Sequence, residues 1–128
     1  MLGQELPALI EEGQRSVKVF MTYEAMRMDD AGILATMDVA RRCGAKVMVH
    51  CENEDVIAFL AAKATEAGNL TPRAHATTRP VAAEREATHR ALTLAEVVDV
   101  PIVIVHVSNG AAIDEIARAR ARGITITA

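Results

Sequence analysis

A chain of 128 residues with 51% hydrophobic and 24% charged side chains has the composition of a folded domain with a real core, which excludes a disordered segment. Its net charge of -3, with 14 basic and 17 acidic residues interspersed, leaves no basic stripe, so neither nucleic acid nor an anionic membrane is an expected partner. The two cysteines, Cys43 and Cys51, have no CxxC spacing, the opening residues have no leader pattern, and no apolar run nears the roughly 20 residues of a spanning helix, so a reducing cytoplasm is the expected compartment.

The predicted elements alternate between helix and strand. Leu6 to Glu12 has helical spacing and stops at Gly13. Ser16 to Tyr23 (SVKVFMTY) reads as a buried strand, apolar at Val17, Val19, Phe20 and Met21 but carrying Lys18. That lysine is an anomaly, because an ammonium is seldom buried unless it is paired, neutralised or chemically changed. An aspartate-capped amphipathic helix, Ala31 to Arg42, runs to Gly44, and a second strand follows at Lys46 to His50. Asn53 or Asp55 opens a helix over Val56 to Ala67, closed by Gly68 and Asn69.

Leu70 to Pro80 has no period and two prolines, so residues 69–80 read as a loop insertion over a functional face. Val81 to Val97 is a long helix with Glu84, Arg85, Glu86 and Arg90 on its wet side and Ala87, Ala91, Leu94 and Val98 towards the core. After Asp99-Val-Pro101 come a third strand at Ile102 to His106, a helix at Ala111 to Arg122 and a last strand at Ile124 to Thr127. Strands apolar on both faces, alternating with helices, call for a parallel sheet in one α/β domain spanning residues 1–128.

The pattern Val-x-Val-His-x-x-Asn occurs twice, at Val47 to Asn53 and at Val103 to Asn109, each time as a strand running into a helix. His50 and His106 therefore fall at carboxyl ends of parallel strands, where ligand groups of α/β folds gather. Each is either a satisfied histidine at a strand end or a metal ligand, and the repetition favours the second. Lys18 is either an ion-paired or snorkelling strand lysine or, if its amine is neutral, a site for carbon dioxide addition. The resulting carbamate could bridge two metals about 3.5 to 4 Å apart. Cys51 follows His50 and turns to the opposite side, as a buried bystander. His89 reads as solvated, His75 lies in the proline-flanked loop with its role open, and Arg118, Arg120 and Arg122 fan round a wet helix face.

Five blocks carry a resemblance: Glu5 to Gly13 (ELPALIEEG), Ser16 to Tyr23, Val47 to Asn53 (VMVHCEN), His75 to Pro80 (HATTRP) and Val105 to Ser108 (VHVS). In order, and over essentially the whole chain, they resemble the dihydropyrimidinase (D-hydantoinase) family of cyclic amidohydrolases. The resemblance implies a metal-dependent hydrolase built on a (β/α)8 TIM barrel, of which this chain would be an internal fragment forming about half. It puts Lys18 at the carboxylated lysine that bridges two zinc ions, and His50 and His106 at histidine ligands of the second metal. Tyr23 falls at the tyrosine that helps bind substrate and stabilises the oxyanion, a role that suits a phenolic donor. The implied reaction is hydrolytic opening of a cyclic amide, a dihydropyrimidine or a hydantoin, in a homo-oligomer of a family that forms tetramers.

Differences from the family pattern accompany the match. The family's His-x-His pair and its late aspartate ligand have no counterpart, so the metal site is expected to be incomplete and the chain inactive alone. Gln14, Val17 and Cys51 stand where an apolar residue, phenylalanine and alanine are usual. Unclosed sheet edges and apolar strand faces should make the chain self-associate. Allantoinase or dihydroorotase chemistry is the enzymatic alternative, although Val19 to Tyr23 favours the dihydropyrimidinase branch. A non-catalytic dihydropyrimidinase-related protein or a stand-alone α/β binding module are alternatives of another class.

Overall fold

The computed structural model describes residues 2–128, and Met1, where the stretch read for a leader begins, lies outside them. The elements are α1 (Leu2–Glu11), β1 (Ser16–Phe20), α2 (Asp30–Cys43), β2 (Lys46–His50), α3 (Glu54–Glu66), α4 (Pro72–Thr77), α5 (Val81–Val98), β3 (Ile102–Ile104), α6 (Gly110–Ala121) and β4 (Ile126–Thr127). The first helix starts ahead of Leu6 because Gly3 and Gln4 add no apolar signal to its spacing. All four strands are parallel, in the spatial order β1-β2-β3-β4. Val17 lies opposite Val47, Val47 opposite Ile102, and Ile102 opposite Ile126. Joining parallel neighbours in sequence requires a crossover each time, and crossovers of one hand put their helices on the same side of the sheet.

Local chemistry sets the boundaries. Asp29 accepts from Gly32 N at 2.8 Å to open α2, and Gly44, at φ 72°, closes it in the left-handed region where a side chain would be strained. The two Val-x-Val-His-x-x-Asn repeats end on helix caps: Asn53 accepts from Val56 N at 3.1 Å and Asn109 from Ala112 N at 2.9 Å. The repeat is therefore one structural unit used twice, a strand with a histidine at its last position in β2 and two residues past its end in β3, and an asparagine that starts the next helix.

The core lies between the helices and one face of the sheet. Val19, Met21, Val47, Val49, Cys51, Ile102, Ile104 and Ile126 point into it and meet Ile33, Met37 and Ala40 of α2, Ala87, Ala91, Leu92 and Ala95 of α5, and Ile116 and Ala119 of α6. Small alanines on α5 and α6 let those helices approach the sheet and each other closely. The opposite face carries Lys18, Phe20, Met48, His50, Val103 and Val105, and of these only His50 is buried.

That arrangement corrects three expectations. Lys18 is exposed rather than buried, because it lies on the face that no helix among the described residues covers, and its ammonium rests 4.9 Å from the centre of the Phe20 ring. Residues 70–80 are not all loop. Thr71 adopts an extended cap conformation and Pro72 supplies a preset helical φ, so α4 forms there without burying a face, and with no buried face it had no period to show. Finally, Glu84, Glu86 and Arg90 are half-buried rather than wet, since they sit where α2, α3 and the loop after β3 converge. Strands β1, β3 and β4 are also shorter than read, and past β1 and β3 the chain turns at Tyr23 and His106, at φ 68° and 41°.

Candidate active site

The carboxyl ends of β1, β2 and β3 bring Tyr23, His50 and His106 together. The His50 and His106 rings are 4.5 Å apart, edge to face, and Tyr23 lies 5.1 Å from His50. Phe20 stacks on His50 at 5.8 Å and extends the cluster towards Lys18. Register explains the grouping: Phe20 pairs with His50 and Lys18 with Met48, so all share the uncovered face. The structure thus gathers the predicted site residues Lys18, Tyr23, His50 and His106 on one side of the sheet.

Around this cluster is a cleft of about 230 Å³, lined by Tyr23, His50, Glu52, His75, Arg79, Glu84, His106 and Ser108. His50 Nε2 is 2.7 Å from Glu52 Oε2, and Arg79 Nε is 3.7 Å from Glu52 Oε1. Arg79 also donates to the His75 carbonyl and lies 3.2 Å from His75 Nδ1, which ties α4 to the rim. The sequence reading left His75 without a role; in the structure it forms one wall of the cleft. It gave no site role to Glu52, Arg79 or Glu54, and it read Glu84 as solvated. The signal for Glu52 was its place inside the repeated motif, two residues after the histidine. A larger cleft, of about 430 Å³, lies away from the histidines among Arg27, Asp29, Asp30, Asp55 and Arg90, whose charges largely pair with one another.

Residues set aside in the sequence fall elsewhere. Cys51 points into the core, where burial pushes its thiol far up, and it takes no part in the cluster. His89 is exposed and reaches Glu115 at 3.1 Å. Arg118, Arg120 and Arg122 are exposed, and each has a partner: Glu115, the Ile126 carbonyl and Glu96 respectively.

The residues present meet part of what a metal requires. Two adjoining imidazoles are apt nitrogen donors, and the lysine shares their face, but among the described residues no three His, Cys, Asp or Glu side chains are grouped closely enough to enclose an ion. His50 already holds a carboxylate on Nε2, which is the usual outer partner of a ligating imidazole. No helix among the described residues is long and apolar enough to cross a membrane.

A parallel sheet with helices on one face and imidazoles, a phenol and a lysine on the rim and the other face has the layout of an α/β enzyme site. Comparison with known proteins makes the class particular. No protein-family model matches the chain. The D-hydantoinase of Rhizobium radiobacter is 47% identical over 122 residues, which are 94% of this chain and 27% of that protein. A solved D-hydantoinase structure superimposes with a TM-score of 0.94 at 44% identity, covering 96% of this chain and 27% of the other. The crystal structure of dihydropyrimidinase from Brevibacillus agri matches with a TM-score of 0.93 at 42% identity, over 96% and 27% of the two chains. The chain is similar to D-hydantoinases over nearly its whole length and spans about a quarter of the length of the relatives it matches.

Proposed function

We propose that this chain carries the lysine and two-histidine part of a cyclic-amide hydrolase site, acting on a hydantoin or a dihydropyrimidine ring. The observation that carries the reading is the convergence of His50, His106 and Tyr23, with rings 4.5 and 5.1 Å apart, at the ends of neighbouring parallel strands. Identity of 47% to a D-hydantoinase over nearly the whole chain supports it. In this reading the four strands are about half of a (β/α)8 barrel whose interior face is the uncovered one.

His50 and His106 would hold one of two zinc ions, and a carboxylated Lys18 would bridge the pair. Bound there, zinc would supply the Lewis acidity that activates water and polarises the ring carbonyl. Glu52 keeps the His50 ring oriented through its bond to Nε2. The Tyr23 phenol donates a hydrogen bond to the oxygen that gains charge when the ring amide is attacked. Lys18 is accessible on the open face, so its amine can meet carbon dioxide. The isolated chain lacks a full donor set and would be inactive by itself. Free Cys43 and Cys51 agree with a reducing cytoplasm, and a homo-oligomer is the assembly proposed.

The test is hydrolysis of hydantoin and a dihydropyrimidine by the complete gene product, with and without a chelator. Metal-dependent ring opening that His50→Ala or His106→Ala reduces by about a hundredfold or more supports the reading. Full activity in both variants refutes it. Separately, zinc added to the 128-residue chain should perturb the NMR signals of His50 and His106 before those of His75 and His89.

A further inference from the structure

Among the described residues, only Tyr23, Asp99 and His106 hold a positive φ without being glycine. Asp99 is a helix cap, which leaves the two residues of the candidate site as the strained ones. A conformation of that kind persists only where the surroundings over-determine it. Two carboxylates do so. Glu54, at the start of α3, accepts from Tyr23 N at 2.9 Å and from the Thr22 hydroxyl through the same oxygen. Glu84, in the first turn of α5, accepts from Ser108 N at 2.7 Å through Oε1 and from the Ser108 hydroxyl through Oε2.

We infer that Glu54 and Glu84 are positioning residues that hold Tyr23 and His106 in the left-handed turns that aim them into the site. Both helices lie between β2 and β3 in the chain, yet each glutamate reaches a loop that follows a neighbouring strand, β1 or β3. The two clamps therefore fix the flanking loops to the crossover that follows β2, the strand that carries His50. Each carboxylate satisfies a backbone N–H that the turn has taken out of the ladder, and it does so from a half-buried place where water competes poorly. The hydrogen bonds of both glutamates go to Thr22, Tyr23 N and Ser108 rather than to the rings, so their role here is positioning. The inference rests on Tyr23 and His106 being site residues, but its test uses no activity.

Tyr23 is the only tyrosine and the chain has no tryptophan, so its near-ultraviolet circular dichroism and fluorescence anisotropy report this one side chain. In the 128-residue chain, Glu54→Ala should cut the tyrosine ellipticity about twofold and lower its anisotropy, with the far-ultraviolet helix signal retained. Glu84→Ala should leave those signals in place and shift the His106 ring resonances instead. Asn109→Ala, a helix-cap change of similar cost, serves as the control and should leave the Tyr23 signal unmoved. An unchanged Tyr23 signal in folded Glu54→Ala, or an equal change in the control, overturns the inference. Should Glu54→Ala lose its helix signal, Thr22→Val removes only the hydroxyl half of the clamp: a smaller loss of Tyr23 order is expected, and no loss overturns the inference. Metal-dependent hydrolysis by the complete gene product alongside an unmoved Tyr23 signal removes the clamp and leaves the proposed function standing; an inactive gene product with the expected loss of signal does the reverse.

Discussion

Thr88 sits on α5 with no exposed surface, and its hydroxyl has no hydrogen-bond partner beyond the neighbouring Cys51 thiol, which is a weak one. Replacing it with an isosteric apolar group removes an unpaired polar atom from the core, so Thr88→Val should stabilise the fold by about 1 kcal/mol in urea denaturation. Glu115 sits in the opposite situation. Burial alone would raise its pKa, but the hydrogen bond with His89 and the charge of Arg118 outweigh that and hold it below the ordinary 4.5. Because the folded value is the lower one, this contribution is present in full above the ordinary carboxylate range and lost as pH falls through it. Stability measured from neutral pH downwards should therefore decline more steeply in the native chain than in Glu115→Gln. Lys18 shows what its strand context hid: alternation decides which face a residue takes, but not whether that face is covered.

At the scale of elements, the asparagines of the two repeats were legible because cap chemistry is local. Asn53→Ala and Asn109→Ala should each cost about 1 kcal/mol, with Asn53 the more costly since its amide also donates to Glu86 at 2.6 Å. Thermal unfolding of the two variants checks the order. Helix α4 was not legible from periodicity, since six residues with no buried side chain give none. Its start was written in Thr71-Pro72 all the same. The charged residues of α5 were read as solvated because a helix wheel distinguishes only polar from apolar. Glu84, Glu86 and Arg90 find Ser108, Asn53 and Asp30 from other elements, and no single-helix pattern contains that information.

For the whole molecule, a sheet covered on one face has consequences for the chain in isolation. Phe20, Met48, Val103 and Val105 are half-buried on the uncovered side, and β1 and β4 each have one paired edge among the described residues. The isolated chain should associate as its concentration rises, and Met48→Lys with Val103→Lys should shift sedimentation velocity towards the monomer. A doubly wound module standing alone would need helices on both faces, and among the described residues none packs on the second.

By itself the sequence determined the alternation of helix and strand, the parallel sheet, the caps, and the placing of His50 and His106 at strand ends. These follow from short-range rules: hydrophobic period, cap residues and a repeat of seven positions. Tertiary structure alone decided that Lys18 is exposed, that His50 bonds Glu52, and that Glu54 and Glu84 grip the loops bearing Tyr23 and His106. The reason is distance along the chain. Glu54 meets Tyr23 and Glu84 meets Ser108 only after parallel pairing has brought separate crossovers to one end of the sheet, and nothing in either local stretch encodes its partner.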